Sequence, residues 1–201
     1  MNAAKQELVT ELESRDLAVL AVGGSAGGIE ALRVILAALR PSFPLPILIV
    51  LHIGPGAKAA WPHVFANCAL PVREAEDKLV VAAGAIYIAP PDYHLLADGT
   101  GELTLSVDPA VHLSRPSIDV LLESVAFSYA ERALGIVLSG ANSDGASGLA
   151  AMRRAGGLAW VQTSESALAH AMPRAALHAV PDARSLTPDQ MAEVLHAYAS
   201  E

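Results

Sequence analysis

The sequence predicts an α/β fold: a doubly wound, mainly parallel sheet with helices on both faces and a small antiparallel hairpin element. Three observations predict it. Strand-like and helix-like segments alternate along most of the 201 residues, as in a parallel sheet built from β-α-β units. Several strand segments are apolar at every position, the pattern of strands covered on both faces. The alternation breaks once, over 85–107, where two or three short strands follow one another without an intervening helix.

The first sixteen residues, "MNAAKQELVTELESRD", are polar and acidic. They match neither a signal peptide nor a transit peptide and read as a leader segment ahead of the domain. Strands are expected at 17–22 ("LAVLAV"), 46–52 ("PILIVLH"), 85–90 ("AIYIAP"), 93–98 ("YHLLAD"), 101–107 ("GELTLSV"), 134–140 ("LGIVLSG") and 157–162 ("GLAWVQ"). The "PPD" and "DGTG" turns make 85–107 an antiparallel meander. "GGIEALRVILAALR" spaces its apolar residues with a helical period, and "RPSIDVLLESVAFSYAERAL" has proline near its start, where a missing N–H costs little. "DGASGLAAMRRAGG" ends in glycines, a helix stop, and "MPRAALHAV" is a short helix. "LTPDQMAEVLHAYAS" opens with Thr187, Pro188 and Gln190, a capping-box pattern. No repeat or linker divides the chain, so one domain is expected.

Composition excludes several classes. Just over half the residues are apolar and 17% are charged, which suits a well-buried globular protein rather than a disordered one. A net charge of −8 without a basic run weighs against a nucleic-acid partner. Gly, Pro or charge interrupts every apolar run before it reaches spanning length, so no membrane insertion is expected. The single cysteine, Cys68, rules out an internal disulfide, suits a reducing cytoplasm and reads as a small buried hydrophobe.

Three polar residues stand where strands end: Ser25 after strand 17–22, His52 closing strand 46–52 ahead of "IGPG", and Asp144 after strand 134–140. Open parallel sheets hold ligands beyond the carboxyl ends of their strands, and a right-handed crossover sets the first two of these ends side by side. A serine hydroxyl needs an adjacent base, histidine titrates near neutrality, and a carboxylate on the second ring nitrogen fixes the tautomer. The backbone N–H of Ala26 is the natural first oxyanion donor, and the glycines, Gly24 among them, leave room for a carbonyl to approach. Each residue also has a structural reading. Ser25 could cap a helix over 26–39, Asp144 could cap one over 145–155, and His52 could be a satisfied structural histidine. "GGSAG" fits the nucleophile-elbow pattern, but the order serine, histidine, acid is not that of an α/β-hydrolase. "GGSAGG" lacks the dinucleotide spacing, and "PILIVLH" ends without an acid for a ribose.

With those residues in hand, the chain resembles the catalytic domain of the CheB family of bacterial chemotaxis receptor methylesterases. The resemblance runs from about Leu17 to about Val180 and rests on "AVGGSAGGIEAL", "VLHIGPG", "YIAPPDYHL", "RPSIDVLLESVA", "GIVLSGANSDGASGL" and "VQTSESALAHAMP" in order. It implies a cytoplasmic serine esterase that removes glutamate γ-methyl esters from receptor signalling helices, releases methanol, and in many members deamidates glutamines at the same site. It also implies Ser25, His52 and Asp144 as the triad, with the N–H groups of Ala26 and Ala141 as oxyanion donors. The chain departs from the family at Ser139, Ala141, Asn142 and Ser143, within the family's Thr-Gly-Met-Gly-Asn-Asp-Gly run, and at Ala26, where threonine is usual. A backbone donor at 141 survives the loss of methionine, while substrate fit changes.

Residues 17–201 are then the catalytic domain and 1–16 the leader. The family's receiver domain has no room in about sixteen residues, so activity without a phosphodonor is expected, or control by a separate receiver or histidine kinase protein. Two rival readings remain: a non-catalytic receptor- or kinase-binding module, and a serine esterase for another substrate.

His63, His94, His112, His170, His178 and His196 show no metal-ligand spacing, so no metal and no cofactor are expected. Tyr93 and His94 sit in the hairpin region, where substrate contact and packing are both open. Arg115 could greet an acidic receptor helix or simply be solvated. Arg153 and Arg154 suit the end of a helix, and Trp61 and Trp160 the core. Nothing in the sequence demands more than a monomer.

Overall fold

The computed structural model describes residues 3–53 and 60–198. Its centre is a seven-stranded parallel sheet. β1 (Val19–Gly24) lies between β2 (Ile47–Leu51) and β7 (Ala133–Val137). Outside β2 come β4 (Ile86–Ile88) and then β3 (Val72–Glu74). Outside β7 come β8 (Leu158–Gln162) and β9 (Arg184–Leu186). The chain winds outward from β1 on one side and returns to β7 on the other, so the switch point lies at β1, where a crevice opens beyond the strand ends.

Side-chain alternation along the strands builds two cores. Leu20 and Val22 face α2 (Gly28–Ala37) and α7 (Pro188–Tyr198), packing with Leu32, Ile35, Met191 and Leu195. Val19 and Ala21 face α4 (Ile118–Tyr129) and α5 (Ala146–Arg154), packing with Leu121, Leu122, Leu149 and Met152. α6 (Ala171–Ala179) adds Met172 and Ala176 to the second core, and α3 (Trp61–Val64) adds Trp61 to the first. Both tryptophans are buried, as expected. Thr187 and Gln190 form the expected capping box: each accepts a hydrogen bond from the other's N–H, at 3.2 and 2.8 Å.

Four expectations are corrected. The segment 85–107 is not a meander. β4 is buried throughout and joins the parallel sheet, and only β5 (His94–Ala97) and β6 (Leu103–Ser106) pair antiparallel. That hairpin packs on α4, where Ser124 Oγ accepts the Ala97 N–H at 3.1 Å. The polar leader contains a helix, α1 (Ala3–Glu13), which buries Leu8, Val9 and Leu12 and pairs Glu7 and Glu11 with Arg184. Its apolar stripe is only three residues wide, too little to stand out among acidic neighbours. The short edge strands β3 and β9 escaped notice because their exposed residues carry no apolar run. α2 begins at Gly28 rather than at residue 26, because Gly27 sits at the helix entrance with φ 81. The "GPG" after Ile53, Gly54 to Gly56, lies outside the described residues, as do the last two residues of the "LTPDQMAEVLHAYAS" run.

Candidate active site

Register places the first two candidates. Gly24 of β1 pairs with Leu51 of β2, so the next residues along, Ser25 and His52, leave the sheet side by side. The His52 N–H donates to Gly24 O at 3.1 Å, and the Ser25 N–H donates to Ser139 O at 2.8 Å, continuing both ladders past the strand ends. Ser25 is therefore held between the ends of β2 and β7. It caps no helix, since α2 has no side-chain cap and starts three residues later. Gly24 and Gly28 account for the glycines around it. A Cβ on Gly24 would stand 3.3 Å from Gly28 Cα, so the pair lets strand and helix close into a tight turn.

Asp144 reaches His52 from the β7–α5 connection. His52 Nε2 and Asp144 Oδ2 are 2.8 Å apart, with the carboxylate fully buried and the imidazole nearly so. Asp144 does not cap α5, whose N-cap is Gly145 with φ 95. It caps α4 instead: the Ile118 N–H donates to Oδ2 at 2.8 Å, the Asp119 N–H to Oδ1 at 2.9 Å, and the Ser117 hydroxyl to Oδ1 at 2.9 Å. A helix N-terminus with free N–H groups is where an anion is stable. Burial pushes the Asp144 carboxyl upward, but the hydrogen bonds from His52, the Asp119 and Ile118 amides and Ser117 outweigh it and hold it below the usual carboxylate range. An ionised Asp144 accepts, so His52 Nε2 carries the proton and Nδ1 is the basic nitrogen. No hydrogen bond joins the Ser25 hydroxyl to the ring, which is common in unliganded sites.

Ala26 follows Ser25 in the β1–α2 turn and Ala141 lies in the β7–α5 connection, and no protein acceptor takes up the N–H of either among the described residues. A groove of about 260 Å³ opens beside His52, lined by Pro91, Asp92, Ala110, Leu113 and Arg115. Arg115 contributes to its wall but spends Nη1 on the carbonyls of Val107 and Asp108, at 2.8 and 3.0 Å. Tyr93 does not line the groove. His94 is structural: its Nδ1 accepts the Ser117 N–H at 3.2 Å, which leaves Nε2 to donate to Pro109 O at 3.2 Å. A hollow of about 290 Å³ around Arg33, His63 and Cys68 involves none of the candidates, and burial pushes the half-buried Cys68 thiol up.

Several residues of the site were missed from sequence. Ser139 Oγ donates to Ala26 O at 2.6 Å and accepts the Ala169 N–H at 2.9 Å, tying the Ser25 turn to the 166–172 segment. Gln162 Oε1 accepts the Ser139 N–H at 2.8 Å. Ser117 and Asp119 form the cradle around Asp144. The "RPSID" run announces a helix start, but nothing in it says that another segment's carboxylate docks there. His112, Asp119 and Asp144 hold ligand-type atoms within 4.8 Å of one another. Each carboxylate oxygen in that trio already accepts from an N–H or O–H donor or faces an imidazole nitrogen, so the cluster reads as a hydrogen-bond network.

Residues 20–195 match the CheB methylesterase family. The chain belongs to the CheB methylesterase family. The match spans the whole sheet from β1 to α7, and the fold agrees. The CheB methylesterase catalytic domain of Thermotoga maritima superposes with a TM-score of 0.85 at 28% identity, covering 90% of this chain and 98% of that one. A Leptospira interrogans protein, named provisionally as a protein-glutamate methylesterase/protein-glutamine glutaminase, is 40% identical over 176 residues, 87% of this chain and 91% of its own length. A Treponema pallidum protein-glutamate methylesterase/protein-glutamine glutaminase is 34% identical over 98% of this chain, which spans 50% of that relative. The family membership expected from the motifs is thereby met, as are the fold class and the enzyme class. Among the described residues, no helix is long and apolar enough to cross a membrane.

Proposed function

We propose that this protein hydrolyses glutamate γ-methyl esters on bacterial chemoreceptor helices, with Ser25 as nucleophile, His52 as base and Asp144 as the orienting acid. One observation carries the reading: His52 Nε2 is committed to an ionised Asp144 at 2.8 Å, which leaves Nδ1 basic beside the strand end that presents Ser25. Nδ1 takes the Ser25 proton as Oγ attacks the ester carbonyl. The tetrahedral oxyanion is met by the N–H groups of Ala26 and Ala141. The imidazolium returns its proton to the departing methanol oxygen, leaving a glutamyl ester on Ser25. Water, deprotonated by Nδ1, then attacks that ester, and the free carboxylate and Ser25 hydroxyl are restored. Glutamine follows the same course with ammonia as the leaving group, the second activity in the printed names of the relatives. Arg115 in the groove wall offers a cation to an acidic receptor helix, while Gly24, with no side chain, allows the tight turn that presents Ser25. Such a chemoreceptor is met in the cytoplasm, and the chain acts as a monomer.

The test compares wild type with Ser25→Ala on p-nitrophenyl acetate and on a methylated receptor fragment. The expected loss for Ser25→Ala is on the order of 10³-fold or more. Equal rates would leave only a binding module. Turnover of the small ester alone would point to a different natural ester.

A further inference from the structure

We propose that Asp119 is a positioning residue for the His52–Asp144 pair and that His112 holds it in place; the inference rests on the hydrolase reading above. Asp119 meets Asp144 at Oδ1, while His52 meets it at Oδ2, and Asp119 makes no hydrogen bond to Ser25 or His52. It is buried, and each of its polar groups is committed. Its N–H donates to Asp144 Oδ1 at 2.9 Å. Its Oδ1 accepts the Gly148 N–H, in the first turn of α5, at 2.7 Å. Its Oδ2 faces His112 Nε2 at 3.1 Å. One residue thus joins the start of α4, the start of α5 and the 107–116 loop. Ala141 and Asp144 sit in the connection between β7 and α5, so Asp119 pins the far end of the segment that carries both.

Two further observations show that this contact is specified. His112 and Leu113 have φ of 50 and 63, a region that non-glycine residues seldom occupy. The Leu113 side chain gains nothing from it and is fully exposed. What the strained turn delivers is the His112 ring on Asp119. At the other end, a Cβ on Gly148 would meet Asp119 O at 2.8 Å and Leu122 Cβ at 2.7 Å, so glycine is what allows the helices to approach.

The charge of Asp119 acts on its neighbours. Asp119 faces Asp144 from the β7–α5 connection and His112 from the 107–116 loop; Glu123 follows one turn along α4, beside Arg154 of α5. His94 faces the start of α4 at Ser117. A second carboxylate beside Asp144 adds negative charge to the buried pair, and Asp119→Asn removes it while keeping the main-chain N–H that Asp144 accepts. Burial raises the Asp119 carboxyl, with the Asp144 charge adding to the rise. A neutral asparagine, which still accepts from Gly148, therefore sheds a cost rather than adding one.

The experiment measures kcat, KM and the thermal midpoint of Asp119→Asn, His112→Ala and His112→Gln on p-nitrophenyl acetate, with Ser25→Ala in parallel. For Asp119→Asn the expectation is a kcat lower by about 10- to 100-fold, KM nearly unchanged, and a thermal midpoint no lower than wild type. Wild-type kcat, or a loss carried by KM rather than by kcat, overturns the proposal. Should Asp119→Asn fail to fold, His112→Ala decides, its side chain being 41% exposed. A lower kcat restored by His112→Gln supports the proposal, and an unchanged kcat overturns it. Ser25→Ala turning over at the wild-type rate would end the hydrolase reading itself; an inactive Ser25→Ala beside an unaltered Asp119→Asn would end only this inference.

Discussion

Asp144 keeps its charge in the interior because four donors converge on two oxygens. That arrangement makes a pH prediction with a definite sign. Its folded-state pKa lies below the ordinary 3.8, so the stabilisation it brings is present above that value and is lost as pH falls through the folded one. Urea unfolding of wild type and Asp144→Asn should show a stability gap that is full above the ordinary carboxylate range and narrows as pH falls below it. A gap independent of pH would mean that the carboxylate is not the group being protonated. Asp144→Asn should also lower kcat by about 10⁴-fold, because an amide in that cradle selects the wrong imidazole tautomer. Neither the hydrogen-bond partners nor the tautomer could be read from the sequence around Asp144. Its local neighbours, Ser143 and Gly145, supply no donor to its carboxylate, and its cradle is 25 to 27 residues upstream.

The turn between β1 and α2 shows the same division at the scale of an element. Strand, glycines and helix were legible in order, because apolar runs and glycine act locally. The start of the helix was misplaced by two residues, since Gly27 at φ 81 delays it. The space around Gly27 also comes from distant chain. A Cβ there would stand 2.6 Å from Leu168 Cβ and 2.8 Å from Ser139 Oγ. Gly27→Ala should destabilise the protein by about 1–3 kcal/mol from backbone strain, read as a lower thermal midpoint. It should also lower esterase activity, because the Ala26 N–H lies in the displaced turn. A substitution that costs stability but leaves kcat at wild type would separate this turn from the oxyanion role.

At the scale of the whole molecule, the site is assembled where the winding of the sheet reverses, and the stability of the opposite elements is separate from it. α1 is the clearest case. Leu12 is fully buried against the α2 and α7 side of the sheet. Leu12→Ala should cost about 2–5 kcal/mol in urea unfolding while leaving kcat unchanged at a temperature where the variant is folded. A leader that stood free of the domain would show no loss. The acidic net charge of −8 works at this scale too. It gives no general attraction to an acidic partner, so the proposed function leaves recognition to local groups such as Arg115 in the groove.

The sequence by itself determined the α/β class, the order of the long elements, the family and the three residues to examine. Those properties depend on periodicity, on glycine's conformational range and on motifs that are contiguous in the chain. Only the tertiary structure decided that β4 leaves the hairpin for the sheet, that residues 3–13 close one core, and that Asp144 caps α4 rather than its own helix. It also brought His112 and Asp119 up behind that carboxylate. These are pairings between segments far apart in sequence, and they are selected by what each buried strand or charge must find as a partner in space, which no local pattern records.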